Sequence, residues 1–140
     1  MLIAGNWKMN TDRSEAVDLA REVVDAVGES TSSVAVAVCP PAVNLDAVSQ
    51  VVSGTLVRLG AQNMHWESGG AFTGETSPGM LNAVGCHYVI LGHSERRQFF
   101  GETDQTVNAK VLSAIAAGLV PIICVGESLE EREADRQSAV

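Results

Sequence analysis

Residues 88–104 read YVILGHSERRQFFGETD, a short apolar run followed at once by polar and charged residues. The apolar part, Tyr88–Leu91, is too short for a helix and too uniformly apolar for a strand with one solvent-exposed face. Such a run is typical of a strand that is buried on both faces, as in a parallel sheet. His93 then precedes a helix start, where Ser94 and Glu95 occupy first-turn positions. The segment therefore predicts a strand, a polar loop and a helix.

The same βα unit recurs along the chain. Four further apolar runs predict buried strands, at Leu2–Ala4, Val34–Val38, Leu56–Leu59 and Val120–Val125. Helical spacing and cap residues predict helices between them, from Asp12 to Gly28, from about Val43 to Val52, from Ser77 and Pro78 to near Gly85, from about Thr106 to Gly118, and after Ser128. We therefore expect one α/β domain over residues 1–140, with about five parallel strands and four to five helices. The pattern leaves open whether the sheet is doubly wound or part of a barrel.

Charge, cysteine spacing and hydropathy argue against several classes of binding partner and site. The chain has 140 residues and a net charge of -8, which argues against binding to nucleic acid or to an anionic membrane surface. Its three cysteines lie far apart, which favours free thiols in a reducing compartment over disulfides or a zinc site. Apolar runs stay far below the roughly 18 residues of a membrane span, and the first residues do not resemble a signal peptide. We therefore expect a cytoplasmic protein with no bound metal.

Polar side chains follow several of the predicted strands directly. Asn6 and Lys8 come after the first strand, and His93 comes after the fourth. Lys8 could supply a cation to a phosphate or to a developing oxyanion, although a surface lysine is the default interpretation. The helix that starts after His93 disfavours a positive imidazole, so a neutral hydrogen-bond donor or acid is expected there, with a structural histidine as the alternative. Glu95 could be a helix-start carboxylate, a partner of Lys8 or a proton carrier.

Two further features of these loops bear on ligands. Surface pairing of Arg96 and Arg97 with nearby helix-start acids is favoured over binding of a ligand phosphate. The glycine-rich stretch around Gly69 and Gly74 matches neither GxxxxGK[ST] nor GxGxxG, so a nucleotide cofactor is not expected. Its length points instead to a functional or interface loop.

Four segments, taken in chain order, resemble the triosephosphate isomerase family. They are AGNWKMN at Ala4–Asn10, GAQNMHWESGGAFTGETSPGML at Gly60–Leu81, YVILGHSERRQFFGETD at Tyr88–Asp104 and PIICVGESLEERE at Pro121–Glu133. The resemblance implies the (βα)8 barrel, present here as a partial barrel. It also implies the glycolytic and gluconeogenic interconversion of dihydroxyacetone phosphate and D-glyceraldehyde 3-phosphate, without a cofactor and through an enediolate.

The resemblance also assigns roles to residues. Asn6 and Lys8 match the substrate-binding asparagine and lysine, and Lys8 would neutralise charge on the phosphate and the enediolate. His93 matches the histidine that polarises the carbonyl, and the family is itself a known case of a neutral histidine at a helix N-terminus. Ser94 matches the neighbouring substrate-binding serine, and Glu95 matches the acid that supports the lysine.

The segment Gln62–Thr76 resembles the loop through which members of the family form dimers. A homodimer or higher self-association is therefore implied, through this loop and through exposed barrel edges. His65 and Trp66 within the loop are interpreted as local packing. The implied interface residues are Gln62, Asn63, Thr73, Gly74 and Glu75, with Thr73 near the tip that reaches the other subunit's active site.

Length is where the sequence departs from the family. Such barrels run to about 250 residues, whereas the 140 residues here end just after the fifth predicted strand. We therefore expect them to lack the family's catalytic glutamate base, its closing lid and its phosphate-binding glycine turns, and to show little or no activity alone. The alternative is a non-catalytic, self-associating half-barrel or one part of a split enzyme.

Overall fold

The computed structural model describes residues 1–28, 33–127 and 132, and it contains a single parallel sheet within them. Five strands pair in chain order, β1-β2-β3-β4-β5. A doubly wound sheet would reverse its strand order at a switch point, whereas sequential order is that of a barrel section. The structure thus resolves the ambiguity that the sequence pattern left open. The strands are β1 (Leu2–Asn6), β2 (Ala35–Cys39), β3 (Val57–Ala61), β4 (Tyr88–Leu91) and β5 (Val120–Ile123).

Helices connect the strands, largely where the sequence predicts them. They are α1 (Arg13–Val27), a short 3-10 helix (Ala42–Asn44), α2 (Leu45–Val52), α3 (Pro78–Ala83), α4 (Ser94–Phe100) and α5 (Asp104–Ala116). Asp12, from which the first helix was predicted to start, caps α1 in a reciprocal pair with Glu15. The helix expected from Thr106 begins earlier, because the hydroxyl of Thr103 caps it and Thr106 completes the capping pair. The helix predicted after Ser128 falls outside the described residues.

The core lies between the sheet and the helices. Val57, Leu59 and Ala61 alternate along β3 and are buried together with Val89 and Leu91 of β4. This side of the sheet is packed by small and branched side chains of α1 and α2, such as those of Ala16, Ala20, Leu45 and Val48. The packing fixes β2, β3 and β4 and therefore the positions of the loops that follow them.

The two edge strands correct one prediction from the sequence. Burial on both faces was expected for every strand, but Leu2 and Ile3 of β1 are 38% and 57% exposed, and Val120 of β5 is 42% exposed. Among the described residues, each edge strand is hydrogen-bonded to a single neighbouring strand. The apolar composition therefore indicates parallel pairing in both strands without full burial in the part of the chain described here.

Three other observations on the described residues concern membrane-spanning helices, metal sites and cysteine thiols. None of the helices there is long and apolar enough to span a membrane. No group of three or more His, Cys, Asp or Glu residues is arranged there to hold a metal ion. Cys39, Cys86 and Cys124 are free, the first two being buried.

Candidate active site

The loop after β1 holds Lys8 in an unusual backbone conformation. Its φ of +55° lies in the left-handed region, which costs a non-glycine residue of order 1–3 kcal/mol. Neighbours hold the loop in place: the backbone N–H of Lys8 donates to Oδ1 of Asn6 at 3.0 Å. Directly after β3, the side-chain amide of Gln62 donates to the carbonyl of Lys8 at 2.9 Å and to that of Cys39 at 2.8 Å. The direction of the Lys8 side chain is thus set by the ends of three strands.

An ion pair joins the ends of β1 and β4. The ammonium Nζ of Lys8 lies 2.6 Å from Oε1 of Glu95, and both side chains are about half exposed. The hydrogen bond from Lys8 lowers the pKa of Glu95 below its ordinary value, against a smaller opposing effect of burial. Glu95 is therefore ionised at neutral pH and keeps the cation of Lys8 beside the start of α4.

His93 caps α4. Its Nδ1 accepts a hydrogen bond from the backbone N–H of Glu95 at 3.2 Å. A nitrogen that accepts carries no proton, so a neutral imidazole in this arrangement has its proton on Nε2. Oε2 of the Glu95 carboxylate lies 3.5 Å from Nδ1 of His93. Ser94 is the first residue of α4 and lies between His93 and Glu95 in the chain.

These groups form a small constellation at the carboxyl edge of the sheet. It contains a cation on Lys8, a carboxylate on Glu95 that positions the cation, and an imidazole on His93 with one N–H donor. Such a set can neutralise an anionic ligand and donate a hydrogen bond to a carbonyl oxygen. Asn6, which was expected to share the pocket, contributes by turning its oxygen toward the Lys8 backbone.

A buried polar network behind the constellation was not predicted from the sequence. Oε1 of Glu102 accepts from Nε of Arg96 at 2.6 Å and also from Nζ of Lys110. Lys110 donates in addition to Oδ1 of Asn63 at 2.8 Å. Burial raises the pKa of Glu102, but the hydrogen bonds from Arg96 and Lys110 outweigh it, so the net pKa lies below the ordinary value. The network ties α4 and α5 to the loop after β3.

The sequence spacing of α5 could have indicated this network. Lys110 lies three residues after Val107 and four before Ala114, which are the other buried positions of α5. A lysine on the apolar face of a helix needs a buried partner, and that requirement could have directed attention to Glu102. The surface pairing inferred for the arginines is confirmed for Arg97, which binds the exposed Asp104 at 2.7 Å. Arg96 also pairs with an acid, but its partner Glu102 is buried.

The loop Gln62–Thr76 divides into an inward and an outward part. Its first two residues, Gln62 and Asn63, bind within the chain through the contacts given above. The ring of His65 stacks on that of Trp66 at 4.2 Å and lies 4.3 Å from that of Phe72, which confirms local packing. The outward part is exposed and consists of the remaining residues assigned to the interface, Thr73, Gly74 and Glu75.

Comparisons with known proteins identify the family and the fold of the chain. The family model "Triosephosphate isomerase" matches residues 1–140. Triosephosphate isomerase of Rhodopirellula baltica is 56% identical over 140 residues, which cover 100% of this chain and 55% of that protein. The enzyme of Alkaliphilus oremlandii is 56% identical over 135 residues, or 96% of this chain and 54% of the other. The crystal structure of triosephosphate isomerase from Bartonella henselae matches with a TM-score of 0.92 at 40% identity, covering 99% of this chain and 57% of that one. The chain thus spans about half the length of the curated relatives it matches.

Proposed function

Because the chain belongs to the triosephosphate isomerase family and forms a partial barrel of that fold, we propose that residues 1–140 supply the carbonyl-polarising half of an isomerase site. The reaction is the interconversion of dihydroxyacetone phosphate and D-glyceraldehyde 3-phosphate. The observation that carries the proposal is the 2.6 Å contact between Lys8 and Glu95. This contact places the cation of Lys8 near His93, although Lys8 follows β1 and His93 follows β4, which is distant in sequence.

The roles follow from the chemistry of the substrate. Isomerisation moves one proton from a carbon to its neighbour and a second proton between the two oxygens that these carbons carry. The enediolate formed between the carbon proton transfers carries negative charge on oxygen. The Nε2–H of His93 donates to the carbonyl oxygen as that charge develops, and Lys8 neutralises the enediolate and the phosphate. Glu95 holds Lys8 in place, while Asn6 and Ser94 line the substrate. No cofactor is needed for these steps.

The base that takes the carbon-bound proton is expected in the other half of the family's barrel. In the family it is a glutamate of the sixth strand, and residues 1–140 contain no match to that segment. We therefore expect these residues by themselves to turn over substrate very slowly or not at all. The whole activity requires the part of the barrel that the relatives have in addition.

Self-association and cellular setting extend the proposal. The exposed Thr73, Gly74 and Glu75 support a homodimer that docks through the outward part of the Gln62–Thr76 loop. The resemblance supports a cytoplasmic role in glycolysis and gluconeogenesis. Residues 1–140 are proposed to form one domain, the N-terminal part of the barrel. Neither nucleic acid nor a membrane is part of the proposal.

A complementation assay tests the proposed activity. Residues 1–140 are assayed alone and joined to the remaining C-terminal part of the Rhodopirellula baltica enzyme, and turnover is followed with a coupled isomerase assay. We expect turnover only in the chimaera, with Lys8→Met lowering its kcat by about 100-fold or more, as for loss of one oxyanion donor. Arg21→Met is the matched control, because Arg21 forms an exposed pair with Asp18 on α1, far from His93 in the chain.

Two outcomes would contradict the proposal. One is family-like turnover by residues 1–140 alone, which would show that the missing base is not required. The other is a folded chimaera with no turnover. If sedimentation then showed stable association of residues 1–140, the alternative of a non-catalytic, self-associating half-barrel would be favoured.

A further inference from the structure

Asn44 is a buried polar residue whose side chain does not serve the helix that follows it. It ends the 3-10 helix before α2, where an asparagine would ordinarily act as an N-cap, yet its side chain makes no cap hydrogen bond. The side chain is enclosed, and the residue is 1% exposed. Its Nδ2 donates to the carbonyl of Thr11 at 3.0 Å, with longer contacts of 3.4 Å to Oγ1 of Thr11 and the carbonyl of Asp12.

The loop that Asn44 reaches is the one that carries Lys8. Among the described residues, the non-glycine residues with positive φ are Lys8 at +55° and Thr11 at +72°. A β-branched residue such as Thr11 is a marked outlier in the left-handed region, so the chain would relax unless neighbours held it. Gln62 holds the carbonyl at the Lys8 end, and Asn44 holds the carbonyl at the Thr11 end.

We infer that Asn44 is a positioning residue for Lys8, which it holds against Glu95 by fixing the far end of the strained loop. The inference rests on the proposed function, in which Lys8 binds the triose phosphate and the enediolate. Asn44 does not touch the constellation itself and acts through the backbone from Thr11 to Lys8. Without its donor, Thr11 leaves the left-handed region and the Lys8 backbone loses the geometry that brings Nζ to 2.6 Å from Glu95.

Amide hydrogen exchange measures this effect without substrate. The Lys8 amide is protected by its bond to Oδ1 of Asn6 at 3.0 Å, so its exchange rate reports the order of the loop. We expect Asn44→Asp, which keeps the shape but loses the donor, to raise that rate by about tenfold. Asn44→Leu should have the same effect and serves as a second variant. Asn82→Leu is the matched control, because Asn82 also donates to a backbone carbonyl, that of Ala117 at 2.8 Å.

Rescue separates positioning from general stability. Glycine adopts a φ near +72° without an anchor, so Thr11→Gly should return the Lys8 exchange rate of Asn44→Asp to within about threefold of the starting protein. In the chimaera, Asn44→Asp should lower kcat and Thr11→Gly should recover it. The loss of a residue that only fills space would not be rescued by removing the backbone strain at Thr11.

Several results would overturn the inference. One is an unchanged Lys8 exchange rate in both Asn44 variants, and another is an equal acceleration of all amides, which would indicate global destabilisation. Failure of rescue by Thr11→Gly would also overturn it. If instead the Lys8 amide is freed and rescued as expected but Lys8→Met leaves chimaera turnover unchanged, the loop anchor stands and the proposed function fails.

Discussion

Replacing Lys110 with methionine should destabilise the chain far more than removing a surface cation. Lys110 and Glu102 have side chains that are each 5% exposed, and Oε2 of Glu102 has no hydrogen-bond partner within the part of the chain that the structure describes. Methionine keeps most of the aliphatic packing, so the loss reports the charge. Removing one partner of a buried ion pair costs about 3–5 kcal/mol, and we expect about 3 kcal/mol because Arg96 still binds Glu102 at 2.6 Å.

Urea unfolding followed by circular dichroism gives the free energy of unfolding. The matched control is Arg21→Met, since Arg21 and Asp18 are 63% and 69% exposed and such a pair contributes at most about 1 kcal/mol. A loss for Lys110→Met no larger than that for Arg21→Met would refute the reasoning. It would mean that the buried network contributes nothing beyond a surface pair.

The same variant has a pH signature. The pKa of Glu102 lies below its ordinary value of 4.5 in the folded chain, so its stabilising contribution is complete above that pH and is lost as pH falls through the lower folded pKa. Removing Lys110 removes one of the hydrogen bonds that lower this pKa. Acid unfolding of Lys110→Met should therefore begin at a higher pH than that of the unmodified chain.

Three further predictions concern single side chains. The carboxyl group of Glu95 should titrate below 4.5 by carbon NMR, and Lys8→Met should move its pKa upward, since the Lys8 hydrogen bond is the main cause of the shift; an unmoved titration would exclude that cause. Gly60→Ala should lose about 1–3 kcal/mol in urea unfolding, because a Cβ there would lie 2.6 Å from Sγ of Cys39, and Cys39→Ala should recover most of the loss. With a disulfide reagent at pH 8, Cys124 should react at least about tenfold faster than the fully buried Cys39, whose pKa burial raises to about 12; equal rates would contradict the burial of Cys39.

The sequence predicted the elements well because the determinants are local. Each strand is a short apolar run, and the cap of α1 follows from Asp12 and Glu15 three positions apart. The order of the strands could not be read from the same pattern, because right-handed βα units assemble into either kind of sheet. The exposure of Ile3 was missed for a similar reason. The apolar composition of the segment indicates a strand, whereas the burial of that strand depends on which strands and helices pack beside it.

The candidate site was predicted by its residue types, and its contact between Lys8 and Glu95 was one of three interpretations of Glu95. Lys8 and His93 stand out because they follow apolar runs that predict strands, whereas choosing among the interpretations of Glu95 requires knowledge of which strand ends meet. The left-handed φ of Lys8 leaves no mark in the sequence, since glycine is the usual indicator of such a conformation. Asn44 and Lys110 are ordinary polar residues until the fold encloses them, so their roles depend on tertiary structure.

The infrared carbonyl stretch of bound dihydroxyacetone phosphate tests most directly whether residues 1–140 supply the polarising half of the site. It is measured in the chimaera with the Rhodopirellula baltica C-terminal part, with and without His93→Gln. Polarisation by His93 and Lys8 predicts that the bound carbonyl absorbs at a lower frequency than in water and that His93→Gln reverses most of this shift. A shift of the same size in both proteins would contradict the central claim.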